Sequence, residues 1–413
     1  MGIADFGLRI SDGEETAVRV EAVDVFAEMA HTLGSVLLES QSGGYSAIYT
    51  DPFEILNSGS PFDALRKALA RREVAGGTVG FLGYELHRFL EDSPVTMADD
   101  IGLPDYWLGV YAESRSKTWV GADGVCKTTS ALRERQSTGS LVSSFSKAEY
   151  LEAVRRVKDY IAAGDVYQVN LSQRFSVPME IDPWELYLLL RERNPAPYAA
   201  YINAGDFQII SSSPECFLTL DPISRGVETR PIKGTRPRSA DPLEDHRLAR
   251  ELELSKKDQA ENVMIVDLER NDLGRVCEFG SVRVPELAQI ESHPTVHHLV
   301  STVTGRLRDD CDAVDLLTAT FPGGSITGAP KIRAMEIIAE LEPVRRGVYT
   351  GAIGCLGFDG SVNLNIAIRT AVVNNGLCHF HVGGGIVADS DPEAEYQETL
   401  DKGRAFLEAL GCM

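Results

Sequence analysis

The chain has 413 residues, of which 43% are hydrophobic, and its 61 Asp and Glu against 40 Lys and Arg give a formal net charge of −21. A chain of this length and apolar content can bury a large core, which excludes an intrinsically disordered protein. The acidic surface repels polyanions, so we expect neither a nucleic-acid-binding nor a membrane-bound protein, although a local basic pocket can still bind a small anion.

The sequence shows no signal peptide and no apolar run of about 18 residues, which predicts a cytosolic protein. Its seven cysteines are scattered and form no C-x-x-C pair. We therefore expect reduced thiols that serve as packing residues.

A polar Ser/Thr/Gly cluster at residues 130–150 divides the sequence into two patterned parts. Short apolar runs that are typical of strands lie before it, at residues 77–86, 106–113 and 116–122. Longer periodic segments follow it. We predict a strand-rich N-terminal region, 1–145, and a second region, 146–413.

The second region mixes amphipathic helices with strands. The periodicity of residues 147–164 predicts a helix that ends at Gly164, and a strand follows at 166–177. Asp182 and Pro183 mark the N-cap and first position of the next helix, and Asp391 and Pro392 do the same for the last one. Because strands and helices do not alternate regularly, this pattern predicts an α+β fold with large sheets covered by helices.

Several local motifs can be tested by their spacing. The segment FPGGSITGAPK is not a phosphate loop, because Ala329 and Pro330 separate its last glycine from the lysine; it predicts a Gly-rich turn and a helix from Pro330. The segment from Asp389 lacks the glycine and glutamate of a calcium loop. His379 and His381 share a strand face and could bind zinc, but without a third ligand nearby a plain strand is favoured.

Three carboxylates lie on two predicted helices. Glu395 and Glu398 are three residues apart and therefore neighbours, and Glu261 lies on a mostly apolar helix. The simplest interpretation is a solvated face with Glu398 paired to Lys402, and Glu261 at an edge of the core. If the fold joins the two helices, the same carboxylates make an oxygen-rich magnesium site.

Nine segments resemble, in order, the motifs of the chorismate-utilising enzyme family. They are LLES (37–40), SSPECFL (212–218), RPIKGTRPR (230–238), AENVMIVDLERNDLGRV (260–276), HHLVSTVTGRL (297–307), FPGGSITGAPKIRAMEII (321–338), YTGAIG (349–354), NIAIRTA (365–371) and GGGIVADSDPEAEYQETLDKGRA (383–405). The family comprises anthranilate and aminodeoxychorismate synthase components I and the isochorismate and salicylate synthases. The resemblance implies two large antiparallel sheets packed together, with helices on the outside.

The resemblance also implies a site for chorismate. Glu261, Glu395 and Glu398 match the magnesium-binding glutamates, and the metal would hold the ring carboxylate. Tyr349 and Arg369 match the residues that grip the enolpyruvyl carboxylate, for which a guanidinium is a natural partner. The implied substrate-binding residues are Gln168, Gly234, Thr235, Tyr349, Arg369, Gly383 and Gly384.

Two catalytic residues follow from the same motifs. Glu215 matches the general acid that protonates the departing C4 hydroxyl, and an acid is needed because hydroxide is a poor leaving group. His298 matches the active-site histidine near the ring. A hydrogen-bonded core histidine is the alternative for His298.

Lys233 discriminates between members of the family. Anthranilate synthases have alanine at this position, whereas aminodeoxychorismate synthases have lysine. A neutral lysine amine can attack C2 of chorismate as the C4 hydroxyl leaves, and ammonia can then displace it by attack at C4. The alternative is that Lys233 is only a counter-ion for a carboxylate.

The source of the nitrogen follows from two further features. Water-using relatives have a lysine that activates water where this chain has Gln168, which disfavours water as the nucleophile. The sequence has no G-x-C-x-G glutaminase elbow, so the resemblance implies ammonia or glutamine delivered through a separate glutamine amidotransferase subunit. The expected product is 4-amino-4-deoxychorismate, for 4-aminobenzoate and folate synthesis.

The sequence leaves two rival functions open. The chain could be an anthranilate synthase component I, which aminates C2 and expels pyruvate, or a non-catalytic subunit that binds chorismate or tryptophan. The segments LLES and NPAPY match the tryptophan pocket of relatives, although both could also be a core strand and turn. The implied pocket residues are Leu38, Glu39, Ser40, Pro195 and Tyr198.

Overall fold

The protein is described by a computed structural model that covers residues 21–40, 45–71, 75–91, 97–113, 116–120 and 140–412. No helix within these ranges is both long and apolar enough to cross a bilayer. The six cysteines in the same ranges are free, as the sequence predicts.

The described residues form nine α-helices and twenty strands. The helices are α1 Ala22–Ala27, α2 Pro61–Leu69, α3 Lys147–Ala163, α4 Pro183–Arg193, α5 Pro242–Glu253, α6 Lys256–Gly274, α7 Ala313–Thr320, α8 Lys331–Leu341 and α9 Pro392–Ala409. The strands are β1 Val36–Glu39, β2 Tyr45–Tyr49, β3 Glu54–Leu56, β4 Gly76–Leu82, β5 Tyr106–Ala112, β6 Ser116–Val120, β7 Val142–Ser143, β8 Gln168–Pro178, β9 Tyr198–Asn203, β10 Phe207–Ser213, β11 Cys216–Leu220, β12 Gly226–Arg230, β13 Ile232–Pro237, β14 Arg283–Ser292, β15 Val296–Arg306, β16 Gly328–Ala329, β17 Ala352–Gly357, β18 Val362–Ile366, β19 Thr370–Asn374 and β20 Leu377–Ile386.

The strands form two antiparallel sheets of ten strands each. The first has the order β16-β8-β20-β19-β10-β9-β1-β2-β6, and β7 pairs with β8. The second has the order β13-β15-β12-β11-β18-β17-β4-β5-β3, and β14 pairs with β15. The longest register in the first sheet joins β8 to β20, from Leu377 opposite Pro178 to Ile386 opposite Val169.

The two sheets pack face to face through an apolar layer. In this layer Val36 and Ile202 of the first sheet belong to one buried cluster with Phe81 and Trp107 of the second. Helices α1, α4 and α9 cover the outer face of the first sheet, and α2, α6 and α7 cover the second. Helices α3 and α8 pack on β8 and β20. This confirms the predicted α+β fold of two large antiparallel sheets packed together with helices on the outside.

Strands from the two predicted regions, 1–145 and 146–413, pair with each other in both sheets. Val36 of β1 lies opposite Ile202 of β9, and Phe81 of β4 lies opposite Ile353 of β17. The predicted boundary coincides with the N-cap of α3 and separates segments of the chain, not separate sheets. Residues 1–20 and 121–139, which belong to the first region, lie outside the described residues.

Capping residues place several helices where the sequence predicts them. Helix α3 ends at Gly164, whose φ of +84° is left-handed, and the Asp182 side chain accepts a hydrogen bond from the Trp184 backbone N–H at the start of α4. Two boundaries differ from the prediction. Helix α8 begins at Lys331, one residue late, because Pro330 has an extended backbone and serves as its N-cap. The predicted strand at 77–86 ends at Leu82, and a 3₁₀ helix follows.

Candidate active site

A cavity of about 840 Å³ lies among β13, β15 and β20 and helices α6 and α9. Almost all predicted site residues line it: Glu215, Lys233, Gly234, Thr235, His298, Tyr349, Arg369, Gly383 and Gly384, together with Glu261, Glu395 and Glu398. The exception is Gln168, which is buried behind the wall and donates a hydrogen bond from Nε2 to Glu261 Oε1 over 3.0 Å. The fold therefore brings together residues that are up to 230 positions apart (398 − 168).

Lys233 is fixed by two oxygens in the wall of the cavity. Its Nζ lies 3.1 Å from Glu261 Oε1 and donates to the Ser325 carbonyl over 2.9 Å. The side chains of Lys233 and Glu261 are 12% and 14% exposed, so the pair is shielded from water on most sides. Lys233 thus has the carboxylate partner that the counter-ion interpretation predicts, and it also faces the cavity as a nucleophile must.

Gly234 allows β13 to lie close to α6. Its φ is +78°, in the left-handed region, and a Cβ at this position would lie 2.7 Å from Leu252 Cδ1 and 2.9 Å from Asp258 Cγ. Any larger residue would push β13 away from the helix that carries Glu261. The glycine therefore sets the distance between Lys233 and Glu261.

The ionisation of Glu261 is decided by its neighbours. Burial opposes the charged form, but the Lys233 ammonium and the hydrogen bonds from Lys233 and Gln168 outweigh it and lower the pKa of Glu261. Glu261 is therefore an ionised carboxylate directed at the cavity. An ionised carboxylate is a favourable ligand for a hard cation.

The three predicted metal ligands surround two glycines of β20. A Cβ on Gly384 would lie 3.3 Å from Glu398 Oε1 and 3.4 Å from Glu395 Oε2, and a Cβ on Gly385 would lie 2.9 Å from Glu261 Oε1. Side chains at the two glycines would fill this space. The atoms available to bind a metal here are carboxylate oxygens, and oxygen is the ligand atom that magnesium prefers.

Each of these carboxylates has another partner in the structure. Glu398 Oε1 lies 2.7 Å from Lys402 Nζ, the pairing that the solvated-face interpretation predicts, and Glu395 Oε1 accepts a hydrogen bond from Ser390 Oγ over 2.6 Å. Burial raises the pKa of Glu395; the Ser390 hydrogen bond opposes this shift and Glu398 adds to it. Within the described residues no three Asp, Glu, His or Cys side chains form a ready-made metal-binding cluster. A cation would have to displace Lys233 and Lys402 from their partners.

Glu215 lies between β10 and β11 and is 4% exposed. Its backbone is fixed at both ends, because its N–H donates to Ser213 Oγ and its carbonyl accepts from the Ile366 N–H over 3.0 Å. Burial raises the pKa of Glu215, although the positive charges of Lys233 and Arg369 oppose that shift. Such a carboxyl group keeps its proton to higher pH than an exposed one, as a general acid requires.

His298 and Tyr349 form further parts of the wall. His298 is 2% exposed, its Nδ1 lies 2.9 Å from Thr235 Oγ1, and burial together with the Arg369 charge lowers its pKa to about 3, so the ring is neutral. The Tyr349 ring is stacked on His381 with 5.1 Å between centroids. Arg369 has a φ of +49°, a strained conformation for a residue with a side chain.

Two of these contacts have no signal in the sequence. The Ser325 oxygen that holds Lys233 is a backbone carbonyl, which no side-chain motif reveals, although Ser325 lies in the Gly-rich segment. The sequence favours a plain strand for His379 and His381 over a zinc site; in the structure both lie on β20, His381 packs on Tyr349, and no third ligand joins the two histidines among the described residues.

A second cavity, of about 370 Å³, contains most of the predicted tryptophan pocket. Leu38, Glu39, Ser40 and Tyr198 line it, but Pro195 does not. Pro197 lines it instead, because this residue directly precedes β9, whereas Pro195 lies in the turn after α4. The Glu39 carboxylate pairs with Arg191 and accepts a hydrogen bond from Tyr187 Oη. The two cavities share Pro214 and Ile232.

Comparisons with known proteins agree with this geometry. The profile of the family described as chorismate binding enzyme matches residues 34–408. The chain is 46% identical over 355 residues to aminodeoxychorismate synthase component 1 of Salmonella typhimurium, covering 81% of this chain and 77% of that protein. It is 45% identical over 359 residues to anthranilate synthase component 1 of Thermus thermophilus, with the same two coverages.

Among solved structures, anthranilate synthase component I from Streptococcus pneumoniae superposes with a TM-score of 0.76 at 32% identity, covering 96% of this chain and 100% of that one. Relatives with two different names thus share nearly the same level of identity with this chain. The overall sequence identity therefore does not distinguish an aminodeoxychorismate synthase from an anthranilate synthase. That distinction depends on individual site residues.

Proposed function

The chain belongs to the chorismate binding enzyme family, and on this premise we propose that it converts chorismate and ammonia into 4-amino-4-deoxychorismate and water. The observation that carries the proposal is Lys233, which lies in the wall of the 840 Å³ cavity together with Glu215. Relatives named aminodeoxychorismate synthase component 1, at up to 46% identity, support the same activity.

In the first half-reaction the chorismate ring loses its C4 oxygen and gains the Lys233 nitrogen at C2. Glu215 donates its proton to the C4 hydroxyl, the C4–O bond breaks and water leaves. Before this step the Lys233 ammonium that pairs with Glu261 has to give one proton to solvent. The ring double bonds then shift as the neutral Lys233 amine bonds to C2, and the proton that this nitrogen loses in bonding restores the acid at Glu215. The product of this step is a secondary amine between Lys233 and C2.

In the second half-reaction ammonia bonds to C4 and the C2–N bond breaks. The proton lost by the ammonia nitrogen passes to the departing lysine nitrogen, which regenerates the Lys233 amine. Two displacements leave the new nitrogen on C4, and the enolpyruvyl group stays on the ring. This outcome distinguishes the reaction from amination at C2, after which pyruvate is expelled.

The remaining residues hold the substrate dianion. Tyr349 and Arg369 would bind the enolpyruvyl carboxylate, and Arg369 offers the bidentate geometry that a carboxylate prefers. Gly383 and Gly384 would let backbone amides approach the ring, because glycine has no side chain to stand between the backbone and the substrate. Magnesium, held by Glu261, Glu395 and Glu398, would neutralise the ring carboxylate.

The ammonia would come from a separate glutamine amidotransferase subunit. No cysteine lines the active-site cavity within the described residues, so glutamine hydrolysis has no nucleophile there. The relatives' designation as component 1 implies a second component. The cavity at Leu38 and Tyr198 would bind tryptophan, and cytosolic folate synthesis is the setting that the product implies.

Anthranilate synthase is the second candidate, because the relative of that name from Thermus thermophilus is 45% identical to this chain. The product separates the two activities. Purified protein is incubated with chorismate, magnesium and ammonium, with and without an added aminodeoxychorismate lyase. We expect 4-aminobenzoate only when the lyase is present. Fluorescent anthranilate without the lyase would assign the second activity, and a lack of any product would indicate a non-catalytic subunit.

A further inference from the structure

In the first half-reaction one proton has to travel from Lys233 to Glu215. The lysine nitrogen loses this proton as it bonds to C2, and Glu215 has to regain a proton before it can act again. Both side chains line the active-site cavity, but among the described residues Lys233 forms its ion pair with Glu261 and none with Glu215. The proton therefore needs a carrier between the two residues.

Ser325 contacts Lys233 and lies next to Glu215. Its backbone carbonyl accepts a hydrogen bond from Lys233 Nζ over 2.9 Å. Burial raises the pKa of Glu215, and the Ser325 hydroxyl lies close enough to oppose this shift, although the two groups do not have the geometry of a hydrogen bond. Ser325 also lines the active-site cavity. One residue thus touches the nucleophile and places a hydroxyl beside the acid.

The Ser325 hydroxyl is buried and has no hydrogen-bond partner among the described residues. The residue as a whole is 5% exposed. Most buried polar side-chain atoms are hydrogen-bonded, because an unpartnered one destabilises the fold. Next to two reacting groups, a partner that is present only during the reaction explains why this hydroxyl is unpartnered.

We propose that the Ser325 hydroxyl relays the proton from the Lys233 nitrogen to Glu215. The inference rests on the proposed function, since only the lysine adduct releases this proton. A serine hydroxyl can accept one hydrogen bond while it donates another. As the bond from nitrogen to C2 forms, the nitrogen gives a proton to Ser325 Oγ, and Oγ gives its own proton to the Glu215 carboxylate. The hydroxyl is then restored, Glu215 is again an acid, and the lysine nitrogen is a neutral secondary amine.

The same hydroxyl works in the opposite direction in the second half-reaction. When the C2–N bond breaks, Glu215 gives its proton to Ser325 Oγ, and the Ser325 hydroxyl proton passes to the departing lysine nitrogen. The nitrogen that has bonded to C4 then gives one proton to Glu215. Bonds and protons balance over the two steps, and no further reactant is needed.

The backbone on both sides of Ser325 is held in place. The Ile326 carbonyl accepts a hydrogen bond from Asn170 Nδ2 over 2.8 Å. A Cβ on Gly324 would lie 2.8 Å from Leu268 Cδ2, so the glycine lets this segment pack directly on α6. On a fixed backbone the hydroxyl changes its partner by rotation about χ1 between staggered positions. The relay therefore needs no movement of the main chain.

A simpler role for Ser325 is to adjust the pKa of Glu215. The charges of Lys233 and Arg369 lower this pKa, and Glu269 is a nearby carboxyl whose own pKa is raised by burial and by the Glu215 charge. If Ser325 only opposes the burial shift, loss of its hydroxyl moves the fall in rate at high pH to still higher pH and leaves the rate at lower pH unchanged. A relay instead predicts a slower reaction at every pH at which Glu215 is protonated.

The test removes the hydroxyl and keeps the backbone carbonyl that holds Lys233. Ser325→Ala does this, and Ser325→Thr, which retains a hydroxyl, should restore most of the rate. Each protein is mixed with chorismate and magnesium without ammonia at a series of pH values, and the growth of the Lys233 adduct is followed by rapid quenching and mass spectrometry. We expect the adduct to form at least roughly tenfold more slowly in Ser325→Ala, because a positioned proton-transfer group contributes about 10²- to 10⁴-fold and water replaces it only in part.

Ser35 provides the matched control. Its hydroxyl is also buried and unpartnered among the described residues, but Ser35 does not line the active-site cavity. Ser35→Ala should form the adduct at the wild-type rate. This comparison separates the loss of a relay from the loss of any buried hydroxyl.

The outcomes distinguish the relay from the proposed function. A wild-type rate of adduct formation in Ser325→Ala overturns the relay, and so does a change confined to the fall in rate at high pH. If Ser325→Ala does not fold, Ser325→Val and Ser325→Thr have the same shape with and without a hydroxyl and allow the same comparison. A wild-type protein that makes no 4-amino-4-deoxychorismate from chorismate and ammonium refutes the proposed function itself, whereas an active wild type that forms no adduct refutes the lysine step and the relay with it.

Discussion

Lys233 Nζ lies 3.1 Å from Glu261 Oε1, so the proposed nucleophile is bound to a proposed magnesium ligand. The ammonium and a metal ion would compete for the same carboxylate charge. Gly234 sets the separation of the two residues, because its left-handed conformation lets β13 pack against α6. The pair thus couples the charge state of the lysine to the occupancy of the metal site.

Replacement of Lys233 by alanine should tighten magnesium binding while it abolishes amination at C4. Without the Lys233 ammonium, the negative charge of Glu261 is no longer shared with a neighbouring cation. We expect the affinity for magnesium to rise about tenfold, because one positive charge next to the metal site is lost. Calorimetric titration with magnesium in the absence of chorismate measures this gain. Lys147→Ala is the matched control, because Lys147 also pairs with a glutamate, Glu393 at 2.7 Å, but on the exposed surface. Equal affinities in wild type and Lys233→Ala would disprove the competition.

Two glutamates of helix α9 test whether Glu395 is a magnesium ligand. Glu395→Gln should weaken magnesium binding at least about tenfold, because it replaces a buried anionic donor in the cavity. Glu393→Gln on the same helix removes an exposed charge outside the cavity and should leave the affinity unchanged. Titration of both variants separates a ligand from a general charge effect. If both variants bind magnesium as the wild type does, Glu395 is not a ligand.

Glu215→Gln should lower the amination rate roughly 10²- to 10⁴-fold, because the amide cannot protonate the departing hydroxyl. Binding of chorismate should change little, since the role proposed for Glu215 is to protonate the leaving group. In the wild type the rate should fall as pH rises through the raised pKa of Glu215, because the ionised form has no proton to give. Steady-state kinetics across pH measure both effects. A variant that retains the wild-type rate and pH profile would remove Glu215 from the mechanism.

The same carboxyl group links pH to stability. Burial raises the pKa of Glu215 in the folded state above its unfolded value, so the folded state binds the proton more tightly. Stability therefore declines as pH rises from the unfolded pKa through the folded one. Glu215→Gln should remove this part of the decline in denaturant titrations at a series of pH values, and an unchanged slope would contradict the assigned shift.

A buried ion pair below Tyr349 supports the site. Arg346 and Glu342 are 0% and 2% exposed in their side chains and lie 2.7 Å apart, and Glu342 also accepts hydrogen bonds from the N–H and hydroxyl of Ser172. Glu342→Gln leaves the guanidinium without its counter-charge and should cost about 3–5 kcal/mol in the free energy of unfolding.

Glu340 provides the control for that measurement. It lies on α8, close to Glu342 in sequence, and its exposed carboxylate pairs with Arg156. Glu340→Gln should cost less than about 1 kcal/mol, as exposed pairs do. Urea denaturation of both variants compares the two sites, and similar small losses would show that the buried pair contributes little.

Local signals made parts of the fold predictable. Local residues mark where two helices begin and end. Asp182 before Pro183 predicts the start of α4, and Gly164 after an amphipathic run predicts the end of α3. The structure confirms both. Contacts between segments that are far apart in the sequence could not be predicted from such local residues. The choice of Pro197 over Pro195 in the second cavity depends on where β9 starts, and the stacking of His381 on Tyr349 depends on how β20 packs. Motif resemblance placed Lys233 in the site, but only the fold revealed its bond to Glu261.

The most direct test of the central claim is to trap the lysine adduct. Wild-type protein is incubated with chorismate and magnesium without ammonia, quenched, digested and analysed by mass spectrometry. The account predicts that the peptide containing Lys233 gains the mass of chorismate less one water, that added ammonium abolishes the adduct, and that Lys233→Ala never forms it. An unmodified Lys233 peptide from protein that makes 4-amino-4-deoxychorismate when ammonium is supplied would contradict the account.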